Sequence, residues 1–240
     1  MRETWAPGCD GFLAFSTHAD PRIPAVKIEP LEGEEAYGNM WQKVRAIWKY
    51  AMRYISQFDF FYICGHDTLM MPQHLRDYLQ TTKKDPNQLH LLGRHFVAPP
   101  DTAFYSGGAG YVLSRAMLVL LKEHFNKTYC APHTRSAQED VRIAVCLKRA
   151  AAEAGQSGAV MVGSADDQDR ERFHPFEPGR HFTMRYENPD DWYYKYSQTK
   201  TVGKDYCSPK SISFHYIKTP YHMRHLWALL NRMPKADTQK

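Results

Sequence analysis

"FFYICGHDTLMM", residues 60–71, runs an aromatic, apolar stretch into Gly65-His66-Asp67 and continues directly into a second apolar stretch. The first part is short, continuous, aromatic and bounded by glycine, so residues 59–64 read as a buried strand. A polar break at the end of such a strand is where α/β enzymes place metal and phosphate chemistry. Taken alone, Gly65-His66-Asp67 can be such a site, a damaged one, or only a turn.

Working outward, helical and strand patterns alternate. Val44, Ile47, Trp48, Ala51, Ile55 and Phe58 in "WQKVRAIWKYAMRYISQF" follow the helical spacing that buries one face. Pro72 suits the first turn of a second helix, "PQHLRDYLQT", where its missing N–H sacrifices no bond. "QLHLLGRHF" reads as a strand. "SGGAGYVLSRAMLVLLKEHF" gives a glycine-rich turn, a short strand and a helix capped by Ser114. Ser136-Ala137-Gln138-Glu139 matches a capping box for a helix reaching about Glu153. A strand near "AVMVG", a polar loop to about Arg172, an aromatic segment, a strand at "SISFHYI" and a helix at "YHMRHLWALLNRM" complete the order. The expectation is an α/β fold with a mixed sheet and helices on both faces. No repeat, low-complexity tract or domain boundary interrupts it, so residues 1–240 read as a single domain.

At 240 residues the chain has room for one large core. Its formal charge of +5 suits an anionic ligand such as a nucleotide, whereas the dispersed Lys and Arg form no dense basic run and argue against nucleic acid. There is no run of 18 apolar residues, and "MRETWAPGCDGFLAFST" lacks the pattern of a signal peptide, so the sequence as given reads as soluble. Cys9, Cys64, Cys130, Cys146 and Cys207 are too widely spaced for a zinc ribbon and read first as reduced core residues. Asn126-Lys127-Thr128 is a glycosylation sequon. The glycines of "YSGGAGYVLS" allow a close approach of backbone to a ligand or a plain turn, and their spacing is not that of a dinucleotide fingerprint.

Thr4-Trp5 near a cysteine, "WQKVRAIWKY", the strand into Asp67-Thr68, "SGGAGYVLS", Glu139-Asp140 followed by Cys146, "FHPFEP", "DWYYKY" and "CSPKSISFHYI" occur in this order in glycosyltransferase family 31. The chain resembles that family from Thr4 to about Arg232, and within it the core 1 β1,3-galactosyltransferases. The resemblance implies a GT-A fold, a Rossmann-like nucleotide-sugar transferase architecture. Residues 1–105 would form the nucleotide-sugar half and residues 106–240 the acceptor half. It implies an inverting enzyme moving galactose from UDP-galactose, usually with Mn²⁺, in β1,3 linkage onto GalNAc on Ser or Thr of a glycoprotein. A location on the lumenal side of the Golgi membrane follows from it, and a homodimer is left open.

In such a reaction UDP leaves with negative charge, which a divalent cation stabilises as a Lewis acid, and hard cations prefer oxygen ligands with imidazole tolerated. The family's Asp-x-Asp maps to positions 65 and 67 and its late histidine to His215. The resemblance therefore implies Asp67 and His215 as metal ligands, with Gly65, His66, Asp67, Gly107 and Gly108 on the donor side. His66 would face away from Asp67, because adjacent side chains on extended backbone point to opposite sides. The family's base maps to Asp140, which would take the proton of the acceptor hydroxyl. Glu139 closes the capping box in this reading and belongs with Trp192 and Tyr194 to the acceptor side. The resemblance pairs Cys130 with Cys146 in a disulfide, which sets the chain in an oxidising compartment.

Two departures stand out. Gly65 occupies the place of the family's first aspartate, which removes one carboxylate. The chain also begins at the Thr-Trp motif, where relatives carry an anchor, a stem and a first strand; an incomplete gene model is the expected explanation. Two functions follow: an active transferase with an altered metal site, or a catalytically inactive relative acting as a chaperone or binding protein.

Overall fold

The computed structural model describes residues 1–156, 161, 163–185, 188, 190–199 and 201–232. Two three-residue strands, β1 (Ala14–Ser16) and β2 (Ala25–Lys27), pair in parallel ahead of helix α1 (Met40–Ala51). The helical spacing of residues 41–58 is realised as this helix plus a 3₁₀ turn at Met52–Tyr54. Then follow β3 (Phe60–Ile63), β4 (Leu69–Met70), α2 (Pro72–Thr81), β5 (Leu91–Gly93), β6 (His95–Ala98), β7 (Thr102–Tyr105), β8 (Tyr111–Ser114), α3 (Arg115–His124) and α4 (Glu139–Glu153). The remainder carries β9 (Phe173–His174), α5 (Pro178–Thr183), α6 (Trp192–Tyr196), β10 (Ser213–Phe214) and α7 (Pro220–Arg232).

This is a mixed α/β architecture, consistent with a Rossmann-like GT-A fold. Where one mixed sheet was expected, the described strands form four small sheets, β1-β2, β4-β10-β9, β3-β8-β5 and β6-β7. β8 pairs antiparallel with both β3 and β5 and alternates its side chains between two cores. Tyr111 and Leu113 join the cluster built on α1, α3 and α4, while Val112 joins the cluster that includes residues of β4, α2 and α7. Leu91 and Leu92 of β5 divide in the same way, so this sheet has helices on both faces. β3 is an edge strand and all four of its residues are half-buried, which corrects the fully buried strand read from its aromatics.

Other elements are shorter than the sequence pattern suggests. "QLHLLGRHF" makes two strands because the chain changes ladder partner at Arg94, from β8 to β7, and there the Arg94 side chain pairs with Glu171 at 2.6 Å, both side chains almost fully out of solvent. "SISFHYI" keeps only Ser213–Phe214 in ladder pairing, parallel to β9 and antiparallel to β4. Of "AVMVG", Met161 and Gly163 lie among the described residues, and Met161 makes a parallel bridge to Leu91.

α1 fixes the approach to α4. Three polar side chains on its packed face bind the segment before α4. Trp41 Nε1 donates to the Ala131 carbonyl, and Gln42 Nε2 donates to the carbonyls of Pro132 and Thr134. Arg45 donates to the Phe125 carbonyl at 2.9 Å and lies over the Phe125 ring, and burial lowers its guanidinium to about 10. A disulfide joins Cys130 to Cys146 in α4 with Cα atoms 4.4 Å apart. The segment is thus fastened from two sides, and the first turn of α4 is held where its acidic residues meet the glycine turn between β7 and β8.

Candidate functional site

The glycine turn is the centre of the arrangement. A Cβ added at Gly107 would lie 2.0 Å from Glu139 Oε1, and one at Gly108 would lie 2.5 Å from His215 Nδ1. At Gly110 a φ of +77° and the Tyr62 hydroxyl, 2.3 Å from an added Cβ, exclude a side chain as well. Successive Cα atoms are about 3.8 Å apart, so the acidic pair and the histidine flank one short piece of bare backbone.

On one side stand Glu139 and Asp140. Asp140 accepts from the Gly107 N–H at 3.0 Å and from the Val141 N–H at 2.9 Å. Tyr111 donates to Glu139 Oε2 at 2.9 Å, and its oxygen in turn accepts from Trp48 Nε1 at 3.4 Å. The expected capping box does not form: Ser136 Oγ accepts from Gln138 N, and Glu139 is drawn instead to Tyr111. Both acids keep some residue-level exposure, yet their carboxyl groups are enclosed. Burial pushes the Glu139 carboxyl up to about 8, the neighbouring Asp140 adds to the rise, and the Tyr111 hydroxyl opposes it. Burial raises Asp140 too, opposed by the N–H groups of Gly107 and Val141. Burial thus favours the protonated form of Glu139 at neutral pH, while at Asp140 the backbone dipoles work against the same effect of burial.

On the other side His215 Nδ1 lies 3.0 Å from the Pro175 carbonyl, which can only accept, so Nδ1 carries a proton. Nε2 then faces Asp67 Oδ1 at 3.2 Å. The loop bearing Asp67 is fastened at several points: Trp5 Nε1 donates to the Thr68 carbonyl, Ile217 N to the Asp67 carbonyl, and Thr68 Oγ1 to the Gly108 carbonyl at 3.1 Å. A Cβ at Gly65 would sit 3.0 Å from Asp67 Oδ1 and 3.8 Å from His215 Nε2.

Gly65, Asp67, Gly107, Gly108, Glu139, Asp140 and His215 therefore converge. His66 is exposed. Trp192 is 47% exposed and packs on Phe96, with ring centroids 5.7 Å apart. Tyr194 is buried in the aromatic cluster with Phe96, Phe104 and Phe176, and its hydroxyl donates to the Arg185 carbonyl. Thr68 and Tyr111 are participants that the motif reading missed. Tyr111 could have been found from strand alternation, which places it on the face of β8 shared with Leu113. An open concavity of about 490 Å³ bordered by Arg53, Lys122 and Glu123 carries none of these groups.

As a holder of a divalent cation the site is short of donors. It offers one carboxylate and one imidazole, and among the described residues no group of three or more His, Cys, Asp or Glu is arranged to hold a metal ion. The direction from which a third ligand would come is that of the side chain Gly65 lacks, which points between Asp67 and His215. The residues present thus do not make a self-sufficient Mn²⁺ site.

No family model matches the chain. Over 219 residues it is 33% identical to glycoprotein-N-acetylgalactosamine 3-beta-galactosyltransferase 1 of Xenopus laevis, an alignment covering 90% of the chain and 57% of that protein. The chain is similar to this galactosyltransferase over most of its own length. It spans little more than half the length of this curated relative. The aligned share reaches through both halves of the site, since 90% coverage leaves few residues outside it. No described helix is long and apolar enough to cross a membrane. Cys9, Cys64 and Cys207 carry free thiols, and burial pushes Cys64 and Cys207 up to about 12.

Proposed function

We propose that the chain is an inverting glycosyltransferase that moves galactose from UDP-galactose in β1,3 linkage onto GalNAc-Ser/Thr of glycoproteins. The observation that carries this reading is Asp140, fixed by two backbone N–H groups beside the Tyr111-bound Glu139, directly across the glycine turn from Asp67 and His215. The acceptor hydroxyl loses its proton to Asp140 as its oxygen bonds the anomeric carbon from the face opposite UDP. The electrons of the breaking C–O bond leave with UDP, and the configuration inverts. Protonated Glu139 holds a hydrogen for an oxygen of the bound sugar, while bare backbone at Gly107 and Gly108 lets the reactants lie against the turn. Exposed Trp192 offers a ring for the apolar face of the acceptor. The described residues make no complete Mn²⁺ site, and the proton transfer runs through protein groups alone. A lumenal Golgi setting accords with the Cys130–Cys146 disulfide.

A second reading, a non-catalytic relative that binds or chaperones, is favoured by Gly65, where a ligand side chain is missing. Mass spectrometry of a GalNAc-Thr peptide incubated with UDP-galactose separates the two. The transferase reading expects a mass gain of one hexose with the parent chain and a loss of about 10²-fold or more in rate with Asp140→Asn. Absence of product from the parent, with UDP or peptide still bound, moves the assignment to the second reading.

A further inference from the structure

Gly65 differs in kind from the other glycines of the site. Gly107, Gly108 and Gly110 are excluded from carrying a side chain by atoms within 2.5 Å or by a positive φ. Gly65 has an ordinary φ, and the nearest atom to an added Cβ is Asp67 Oδ1 at 3.0 Å, the movable end of a side chain. No backbone requirement therefore explains glycine here. The added Cβ would also lie 3.8 Å from His215 Nε2 and 3.7 Å from Thr68 Oγ1, so a side chain at this position projects into the space between the two remaining donors. Those donors are already oriented: the Pro175 carbonyl holds the imidazole with Nε2 inward, and the loop of Asp67 is bound by Trp5 and Thr68.

We infer that Asp67 and His215 form a pre-oriented half-site that does not retain a divalent cation in the nucleotide-free protein, and that Gly65 alone sets this deficit. Two protein donors leave most of the coordination sphere of a hard cation to water, so binding gains little over the hydrated ion in bulk. A carboxylate at position 65 supplies a third donor and a second negative charge without new backbone geometry. The inference shares residues with the proposed transferase but rests on donor number and direction, and it is read without any transfer reaction.

The test is titration of the nucleotide-free chain with Mn²⁺, following the free-ion signal by electron paramagnetic resonance. The parent chain is expected to leave the free-ion signal unreduced at equimolar protein and metal. Gly65→Asp is expected to bind one equivalent at least about 100-fold more tightly. Gly65→Ala, which fills the space without a donor, is expected to behave as the parent, and adding Asp67→Asn to Gly65→Asp is expected to abolish the gain. Gly65→Glu provides a second carboxylate variant, and circular dichroism checks that each variant folds. Saturable binding by the parent that Asp67→Asn removes would overturn the inference, as would two folded carboxylate variants that bind no better than the parent. A parent that shows no sugar transfer leaves these outcomes unaffected, so failure of the functional reading is distinguishable.

Discussion

Glu139→Gln gives the sharpest check on the electrostatics of the acidic pair. The native Glu139 carboxyl holds its proton up to about pH 8, whereas in the unfolded chain it releases it near 4.5. Between those values the native state binds the extra proton, so stability falls as pH rises through the window. At about 1.36 kcal/mol per pH unit the ceiling is roughly 5 kcal/mol, and the residue's partial exposure brings the expected size to about 2–3 kcal/mol. Glutamine keeps the acceptor for the Tyr111 hydroxyl and cannot ionise. Urea unfolding should therefore place variant and parent within about 1 kcal/mol of each other at pH 5 and the variant ahead by about 2–3 kcal/mol at pH 9. The raised Asp140 acts in the same direction and remains in both proteins, so the difference isolates Glu139. An equal difference at both pH values, with matching m-values, would show that the carboxyl is not held protonated and would remove the basis for assigning the pair unequal roles.

Two further outcomes follow from the packing. Gly108→Ala brings a methyl to 2.5 Å from His215 Nδ1 and must displace the ring from the Pro175 carbonyl; a loss of about 1–3 kcal/mol in thermal or urea unfolding and a shifted His215 ring resonance in NMR are expected. An unchanged resonance would contradict the contact. Replacing Cys130 and Cys146 by serine opens a loop with a sequence separation of 16 and should cost roughly 3 kcal/mol in urea unfolding, while a reductant lowers the parent to the same level and leaves the variant unaffected.

How much of this was legible in the sequence depended on whether the deciding partner was local. α3 and its cap follow from Ser114, whose side chain accepts from Met117 N three residues on. Pro72 at the start of α2 is equally local. Glu139 has the same kind of local opportunity in Ser136-Ala137-Gln138-Glu139, but the Tyr111 hydroxyl, 28 positions earlier, takes it instead. The division of "QLHLLGRHF" at Arg94 comes from a change of ladder partner, and the ion-pair partner at that point, Glu171, lies 77 positions away, so no window of sequence around Arg94 contains that information. Asp67, His215, Glu139 and Asp140 were named from motif resemblance; that they meet across two glycines is a property of the fold. Position 65 is the reverse case, since the sequence shows the missing carboxylate at once, and only the structure shows that what stands closest to its place is the end of the Asp67 side chain and not backbone.

The bare backbone at residues 107–110 also constrains how this protein can be changed. Any substitution at Gly107, Gly108 or Gly110 acts on Glu139, His215 or Tyr62 before it can act on a ligand. Directed evolution aimed at a different sugar or acceptor is therefore better spent away from that turn, at exposed positions such as Trp192, where a new side chain meets solvent first.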